Sequence, residues 1–379
     1  MTEPAGLETP LYPRREAMTL ALLTGLAILM FLFVAGLSRL YQAQQQSLAV
    51  RWSARGQTDL QAHRYTAAVA DFRAALLHSR DSYSYQLDLA QALLGMNRTD
   101  EAYAYLINLW DRQPENGIVN LELARIAAGK NQTPQAMRFY HNAIYATWPG
   151  DQEIASRSAR FELIDYLLRI KADVQAQAEL IALAANLPED SPEQDHLGTL
   201  FLRVQDDQHA LEAFQLALKQ NKIDETALAG AGAAAYQLSQ YPTAQTYLQH
   251  ALQVSSDDAA SADWLRKTEF VLEFDPYRPQ ISATARNRAI ANAFDVAGTR
   301  LKACTAMGGS AAAAAENLAA QWNKLKPQVT ERVLLRNPDL ADDAMNLAID
   351  IENQTSGVCG SPSASDSALL LVADLHKEN

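Results

Sequence analysis

Residues 83–116 read YSYQLDLAQALLGMNRTDEAYAYLINLWDRQPEN, and residues 117–150 read GIVNLELARIAAGKNQTPQAMRFYHNAIYATWPG. The two stretches have one length and one pattern. Ala102-Leu106-Leu109 in the first becomes Ala136-Tyr140-Ala143 in the second, 34 positions later. The same beat stands upstream at Ala68-Phe72-Ala75. After one slip it returns at Ala176-Leu180-Leu183, Ala210-Phe214-Ala217 and Ala244-Leu248-Ala251. Each triplet falls at i, i+4, i+7, which places all three side chains on one face of a helix. A period of 34 is the length of a helix–turn–helix unit that buries its apolar face by stacking on copies of itself.

Counting back from the triplets, the units start near Ala49, Tyr83, Gly117, Arg157, Ser191 and Glu225. The fourth position of the first unit is Trp52. The eighth positions are Gly56, Ala90, Ala124, Ile164, Gly198 and Gly232. Small residues suit a place where two helices of a hairpin cross closely, and Ile164 departs from that rule. Proline near the ends of several units, at Pro114, Pro149 and Pro188, stops a helix and resets the chain.

This pattern closely resembles the tetratricopeptide repeat family over about residues 49–256. The second, third, fifth and sixth units match best. Arg55 stands where the family usually has leucine, and six extra residues in the fourth unit are expected in a loop near 150–156. The resemblance implies a solenoid that binds other proteins or peptides, with the first helix of each unit lining the concave surface. It places Gln57, Gln91, Arg125, Asp165, Arg169, Thr199, Arg203 and Tyr236 on that surface. The fifth positions are Ser53, Leu87, Leu121, Phe161, Asp195 and Ala229, so the family's lysine–asparagine clamp for a C-terminal carboxylate is absent. Arg125, Arg169 and Arg203 suit an acidic segment or a carboxylate; the competing reading pairs them with acids inside the solenoid.

The acidic excess is local. Residues 49–277 carry 30 acidic against 19 basic side chains, and residues 278–379 carry 11 against 10. An acidic repeat region speaks against nucleic acid, whose phosphates demand a basic surface.

Ala17 to Ser38 contains no charged residue. Twenty-odd apolar residues at about 1.5 Å rise span one hydrocarbon core. The run exceeds the apolar region of a cleaved signal peptide, and Val34-Ala35-Gly36 is a weak cleavage site. The expected order is a tail over 1–17, a single transmembrane helix over 18–38, a juxtamembrane linker over 39–48, six repeats over 49–256, a capping helix over 257–277 and a helical domain over 278–379. Arg14 and Arg15 before the run are nearly balanced by Arg39, Arg51 and Arg55 after it. A short N-terminal tail argues for an N-inside anchor in a bacterial-type inner membrane, with the bulk of the chain outside the cytoplasm.

Residues 280–379 abandon the 34-residue period. Helices are expected at about 282–305, 311–325, 328–336, 338–354 and 366–376, with Asp339 or Asn337 capping the fourth and Asp366 the fifth. Cys304 and Cys359, the two cysteines of the chain, fall at the ends of elements. A bridge between them would close 54 intervening residues and contribute roughly 3–4 kcal/mol on the loop-entropy argument. Export favours that bridge; a cytoplasmic setting favours two free thiols.

No motif of phosphate binding, hydrolysis or metal ligation stands out, and no cofactor or small-molecule substrate is indicated. The histidines at 63, 78, 141, 196, 209, 250 and 376 are scattered. Asn97-Arg98-Thr99, Asn131-Gln132-Thr133 and Asn353-Gln354-Thr355 match the glycosylation sequon, which has meaning only in a eukaryotic secretory setting. The expected protein is all-α and not an enzyme: a membrane-anchored binding scaffold, with a role in envelope assembly or the handling of exported chains. Two alternatives stand beside it. One is a cytoplasm-facing adaptor. The other is an enzyme drawing on Asp339, Asp342, Asp343 or Glu352 in the C-terminal region.

Overall fold

The computed structural model describes residues 14–190 and 192–376. Residues 1–13 of the expected tail, and Ser191 at the expected start of the fifth unit, lie outside the described residues. Every extended element among the described residues is a helix, and β pairing amounts to a single bridge between Asn116 and Thr147. The chain divides into two compact units, Met1–Tyr166 and Leu167–Asn379.

The first unit opens with α1 (Arg14–Gln61), a single helix of 48 residues. Its apolar segment from Met18 to Leu37 is exposed along its length. Its last turns, from Ala49 onward, are the first helix of the repeat array, packed on α2 (Tyr65–His78). Residues 39–48, expected as a linker, are helix too: no Gly or Pro interrupts Arg39–Leu48, and Gln, Ala and Leu propagate a helix at little cost. The pairs α3 (Tyr83–Gly95) with α4 (Thr99–Arg112) and α5 (Gly117–Gly129) with α6 (Thr133–Ile144) follow, and α7 (Gln152–Arg169) runs across the boundary between the units. The second unit holds α8 (Asp173–Ala184), α9 (Gln194–Arg203) with α10 (Asp207–Gln220), and α11 (Glu225–Gln237) with α12 (Tyr241–Val254).

The repeat is written into the backbone as well as the core. His63, Asn97, Asn131, Lys171, Gln205 and Ser239 have φ between 56° and 60°, the left-handed region. They follow one another 34 residues apart, with 40 between Asn131 and Lys171 where the fourth unit carries its insertion, and end the first helix of each unit. The next residue's N–H reaches back five residues to a carbonyl: Arg64 to Asp59, Arg98 to Leu93, Gln132 to Ala127, Ala172 to Leu167, Asp206 to Phe201 and Gln240 to Ala235, at 2.8–3.0 Å. This is a Schellman ending, which satisfies carbonyls that a helix terminus otherwise leaves open. At the far end of the hairpin, Gln86, Asn120 and Gln194, fourth in their units, donate side-chain N–H bonds to the carbonyls of Arg80, Pro114 and Pro188 at 2.7–2.9 Å.

Small residues at the eighth position meet large ones on the second helix. A β-carbon on Gly56 would stand 2.8 Å from the Phe72 ring, and one on Gly198 would stand 2.8 Å from Phe214. Ile164 is fully buried at the same position, so a large side chain is accepted there. Arg55, the departure from leucine, pairs with Asp71 at 3.1 Å and lies over the Trp52 ring.

The six inserted residues do not form the loop expected over 150–156. Gln152–Ser156 is helix, and α7 has 18 residues against 13 in α3 and α5. Asp151 caps the added turn by accepting from the N–H groups of Glu153 and Ile154 at 3.0 Å. The preceding corner is pinned by Trp148, whose indole donates to the Ala143 carbonyl at 2.9 Å and closes over Gly117.

After α12 come α13 (Ala259–Phe274), α14 (Ala283–Met307), α15 (Gly309–Leu325), α16 (Glu331–Leu334), α17 (Pro338–Thr355) and α18 (Ala364–Leu375). The capping helix α13 packs on α12 and on α18. Tyr241, Val271, Leu272 and Phe274 share one core with Ile290, Phe294, Leu301, Met345, Ile351, Leu369 and Val372. The C-terminal helices therefore have no core separate from that of the last repeat. Trp322 joins α15 to α14: it stacks on Phe294, donates to the Phe294 carbonyl at 2.9 Å and covers Gly298. Asn337 caps α17 by accepting from the Leu340 N–H. The cap of α18 is Ser363 rather than Asp366; Asp366 occupies the third position of a reciprocal capping box.

Candidate protein-binding face

The first helices of neighbouring repeats lie side by side, as the hydrogen bonds across them show. In the first unit Gln57 of α1 donates to Asp88 of α3 at 3.4 Å. Arg125 of α5 grips Glu162 of α7 with two bonds, Nε to Oε2 at 2.9 Å and Nη2 to Oε1 at 2.5 Å. Its Nη1 donates to Glu122 at 3.0 Å. Gln91 is half-buried between these groups in sequence register, and Asp165 is exposed.

Arg125 is thus committed to two carboxylates of its own scaffold, and the Glu162 bonds hold its guanidinium firmly protonated. Asp88, Glu122 and Glu162 occupy the same, sixth position in three successive repeats. Burial pushes the Asp88 carboxyl above its ordinary range, against the opposing pull of the Gln57 bond. Burial likewise raises Glu122, with Arg125 opposing and Glu162 adding to the rise. Beside them a depression of about 600 Å³ is lined by Leu94, Glu122, Arg125, Ile126, Gly129 and Lys130. Lys130 is held by Asp100 at 2.7 Å.

In the second unit Arg169 and Arg203 are exposed at the ends of α7 and α9. Thr199 bonds back to the Asp195 carbonyl at 3.0 Å. Tyr236 meets Tyr241 edge-on at 5.3 Å and Trp264 at 5.0 Å, and Lys267 lies over the Trp264 ring. The carboxylate ladder was not among the expected site residues, and of the aromatic group only Tyr236 was; its partners Tyr241 and Trp264 were not. The ladder had a signal, since three acids recur at one repeat position. The aromatic group had none, because it needs α13 folded against α11.

Cys304 of α14 and Cys359, in the loop before α18, form a disulfide with Cα atoms 5.1 Å apart. The acids considered for catalysis do not converge. Asp339, Asp342 and Asp343 are exposed near the start of α17, with Asp342 paired to Arg286 at 2.7 Å. Glu352 is buried ten residues further on, about 15 Å along the helix. Among the described residues no three His, Cys, Asp or Glu side chains gather as metal ligands.

The tetratricopeptide repeat family model matches residues 59–114. No curated protein sequence matches the chain. Among solved structures, YrrB, titled a TPR protein with an unusual peptide-binding site, is 14% identical with a TM-score of 0.40, over 51% of this chain and 96% of YrrB. PilF of Pseudomonas aeruginosa is 17% identical with a TM-score of 0.33, over 52% of this chain and 93% of its own. The TPR2AB domain of yeast Sti1, solved in a pHSP90 complex, is 16% identical with a TM-score of 0.30, over 73% of this chain and 99% of its own. The matched repeat at 59–114 and the all-helical fold support the tetratricopeptide repeat family.

Proposed function

We propose that the chain is a single-pass membrane protein that presents a tetratricopeptide scaffold outside the cytoplasm to bind an extended protein segment. The observation that carries this reading is α1: its first half is apolar, exposed and long enough to cross a bilayer, and its last turns are the first helix of the repeat array. A disulfide further along the chain favours the oxidising side of the membrane. Envelope assembly or the handling of exported chains fits such a scaffold.

The charge of the face in the first unit selects the partner. Asp88, Glu122 and Glu162 outnumber Arg125, whose guanidinium is already shared by two of them. A basic extended segment supplies the missing counter-charge, whereas an acidic one meets repulsion. The test is fluorescence anisotropy of the full chain in detergent with lysine-rich and aspartate-rich extended peptides. The lysine-rich peptide should bind, weaken steeply with added salt, and weaken further in the double variant Glu122→Gln, Glu162→Gln. Preference for the aspartate-rich peptide, lost on Arg125→Ala, would reverse the assignment.

A further inference from the structure

Beneath the disulfide lies a buried group of charges that the binding reading does not use. Arg300 of α14, Glu352 of α17 and Asp366 of α18 are 6%, 1% and 5% exposed. Arg300 sits one helical turn before Cys304 and spends its donors on the loop that carries Cys359. Its Nε donates to Thr355 Oγ1 at 3.2 Å. Its Nη2 donates to the Thr355 and Gly360 carbonyls at 3.0 and 2.9 Å, and its Nη1 donates to the Ser361 carbonyl at 3.3 Å. Nη1 also lies 3.6 Å from Asp366. Asp366 is further engaged by the Ser363 N–H at 2.7 Å, in the capping box of α18. One guanidinium thus holds both sides of Cys359 and the start of the last helix.

Glu352 stands apart from these bonds. Its Oε1 is buried and has no hydrogen-bond partner among the described residues. The charged groups that face it are Asp366 from α18 and Arg300 from α14. From α15 and α16 the buried neighbours in this core are apolar: Ala311, Ala315, Leu318, Trp322 and Leu334. Two carboxylates and one guanidinium in a dry setting carry an unbalanced negative charge unless one carboxyl keeps its proton.

We propose that Arg300, Glu352 and Asp366 form a proton-gated clasp on the disulfide loop. With a proton on Glu352 the group is neutral and the loop Thr355–Ser361 and α18 stay docked. Loss of that proton places a second anion beside Asp366, and the loop loosens to let water reach it. Burial first, and Asp366 second, push the Glu352 carboxyl up to about 7, with Arg300 opposing. The docked form therefore binds a proton more tightly than the open form, whose carboxyl titrates in the ordinary range. Docking is strongest below the ordinary carboxyl range, weakens as pH rises from there, and has lost the proton's contribution once pH passes about 7.

The experiment measures how fast a phosphine reductant opens Cys304–Cys359 in the full chain in detergent. At each pH the rate is divided by that of an exposed disulfide in a small peptide. The normalised rate should rise about tenfold between pH 6 and pH 8, the increase in open population that this displacement of the carboxyl implies. Glu352→Gln keeps the neutral shape and should stay slow at both values. A flat profile in the natural chain, or an equal rise in the glutamine variant, overturns the clasp. If the variant loses helix content, amide exchange across α18 in the natural chain, corrected for intrinsic base catalysis, decides instead: equal protection at both pH values overturns it.

Discussion

At the scale of single residues, the repeat turns on six positions that no apolar pattern marks. Each first helix ends on a left-handed residue, and none of the six is glycine. A β-carbon in that conformation costs roughly 1–2 kcal/mol, least for asparagine. Asn97 and Asn131 therefore fit their places as turn residues, which accounts for two of the three sequons without glycosylation. Lys171 is exposed at φ 58° and gains nothing from asparagine's local bonding. Lys171→Gly should raise the unfolding free energy by about 0.5–1 kcal/mol in chemical denaturation, net of the entropy glycine adds to the unfolded chain. Loss of stability would show that the lysine side chain itself holds the turn. The opposite change, Gly56→Ala, drives a methyl into Phe72 and should cost about 1–3 kcal/mol. The apolar triplets were legible because helix periodicity is a property of neighbours in sequence. The turn residues were not, because His, Asn, Lys, Gln and Ser share no chemistry, only a dihedral angle.

At the scale of elements, helix existence was legible and helix ends were less so. Four of the five C-terminal helices fall within about two residues of their expected bounds, but the one expected over 328–336 is only the single turn Glu331–Leu334, whose N-cap Thr330 makes no side-chain cap bond. The insertion in the fourth unit was misplaced as a loop because its residues carry no repeat partner; Asp151 and Gln152–Ser156 turn it into an extra helical turn. Cys304–Cys359 was legible from pairing alone, but Arg300, the group that shapes the same loop, was not: its four hydrogen bonds reach three residues 55 to 61 positions away, and three of the bonds go to backbone carbonyls. Residues 364–375 form a 12-residue helix, marginal in isolation. Its stability comes from Leu369 and Val372 in the shared core and from the tether behind it. Replacing both cysteines by serine should lower stability by about 3–4 kcal/mol, read by urea denaturation, and should raise amide exchange in α18 first. Uniform acceleration across α14 and α17 would show that the bridge supports the whole region rather than its last helix.

At the scale of the molecule, the two compact units cut across the expected domains. The second unit joins the later repeats to everything after them through one core around Tyr241, Phe274, Phe294 and Ile351. That join was hidden because α13 reads as a terminal cap until α18 is known to lie on it. In the first unit, the anchored reading predicts that the full chain stays with membranes through high salt and alkaline carbonate. It also predicts that neither cysteine in unreduced cells accepts a thiol reagent. Release by carbonate removes the anchor, and labelling of both cysteines moves the scaffold to the cytoplasmic side.

The unbroken helix α1 also has a rotational consequence. A flexible tether would let the repeats face any direction above a bilayer, but a continuous helix transmits angle as well as distance. Between Arg39 and Leu48 the chain climbs about 14 Å and turns about 100° per residue. If the anchored reading holds, one alanine inserted there should swing the binding face by about 100° around the axis of α1, and seven, close to two full turns, should nearly restore it. If partner crosslinking in membranes falls with one to three inserted alanines and recovers with seven, the helix works as an indexed shaft. A response that depends only on added length would mean that the compass bearing of the face is of no consequence to the partner.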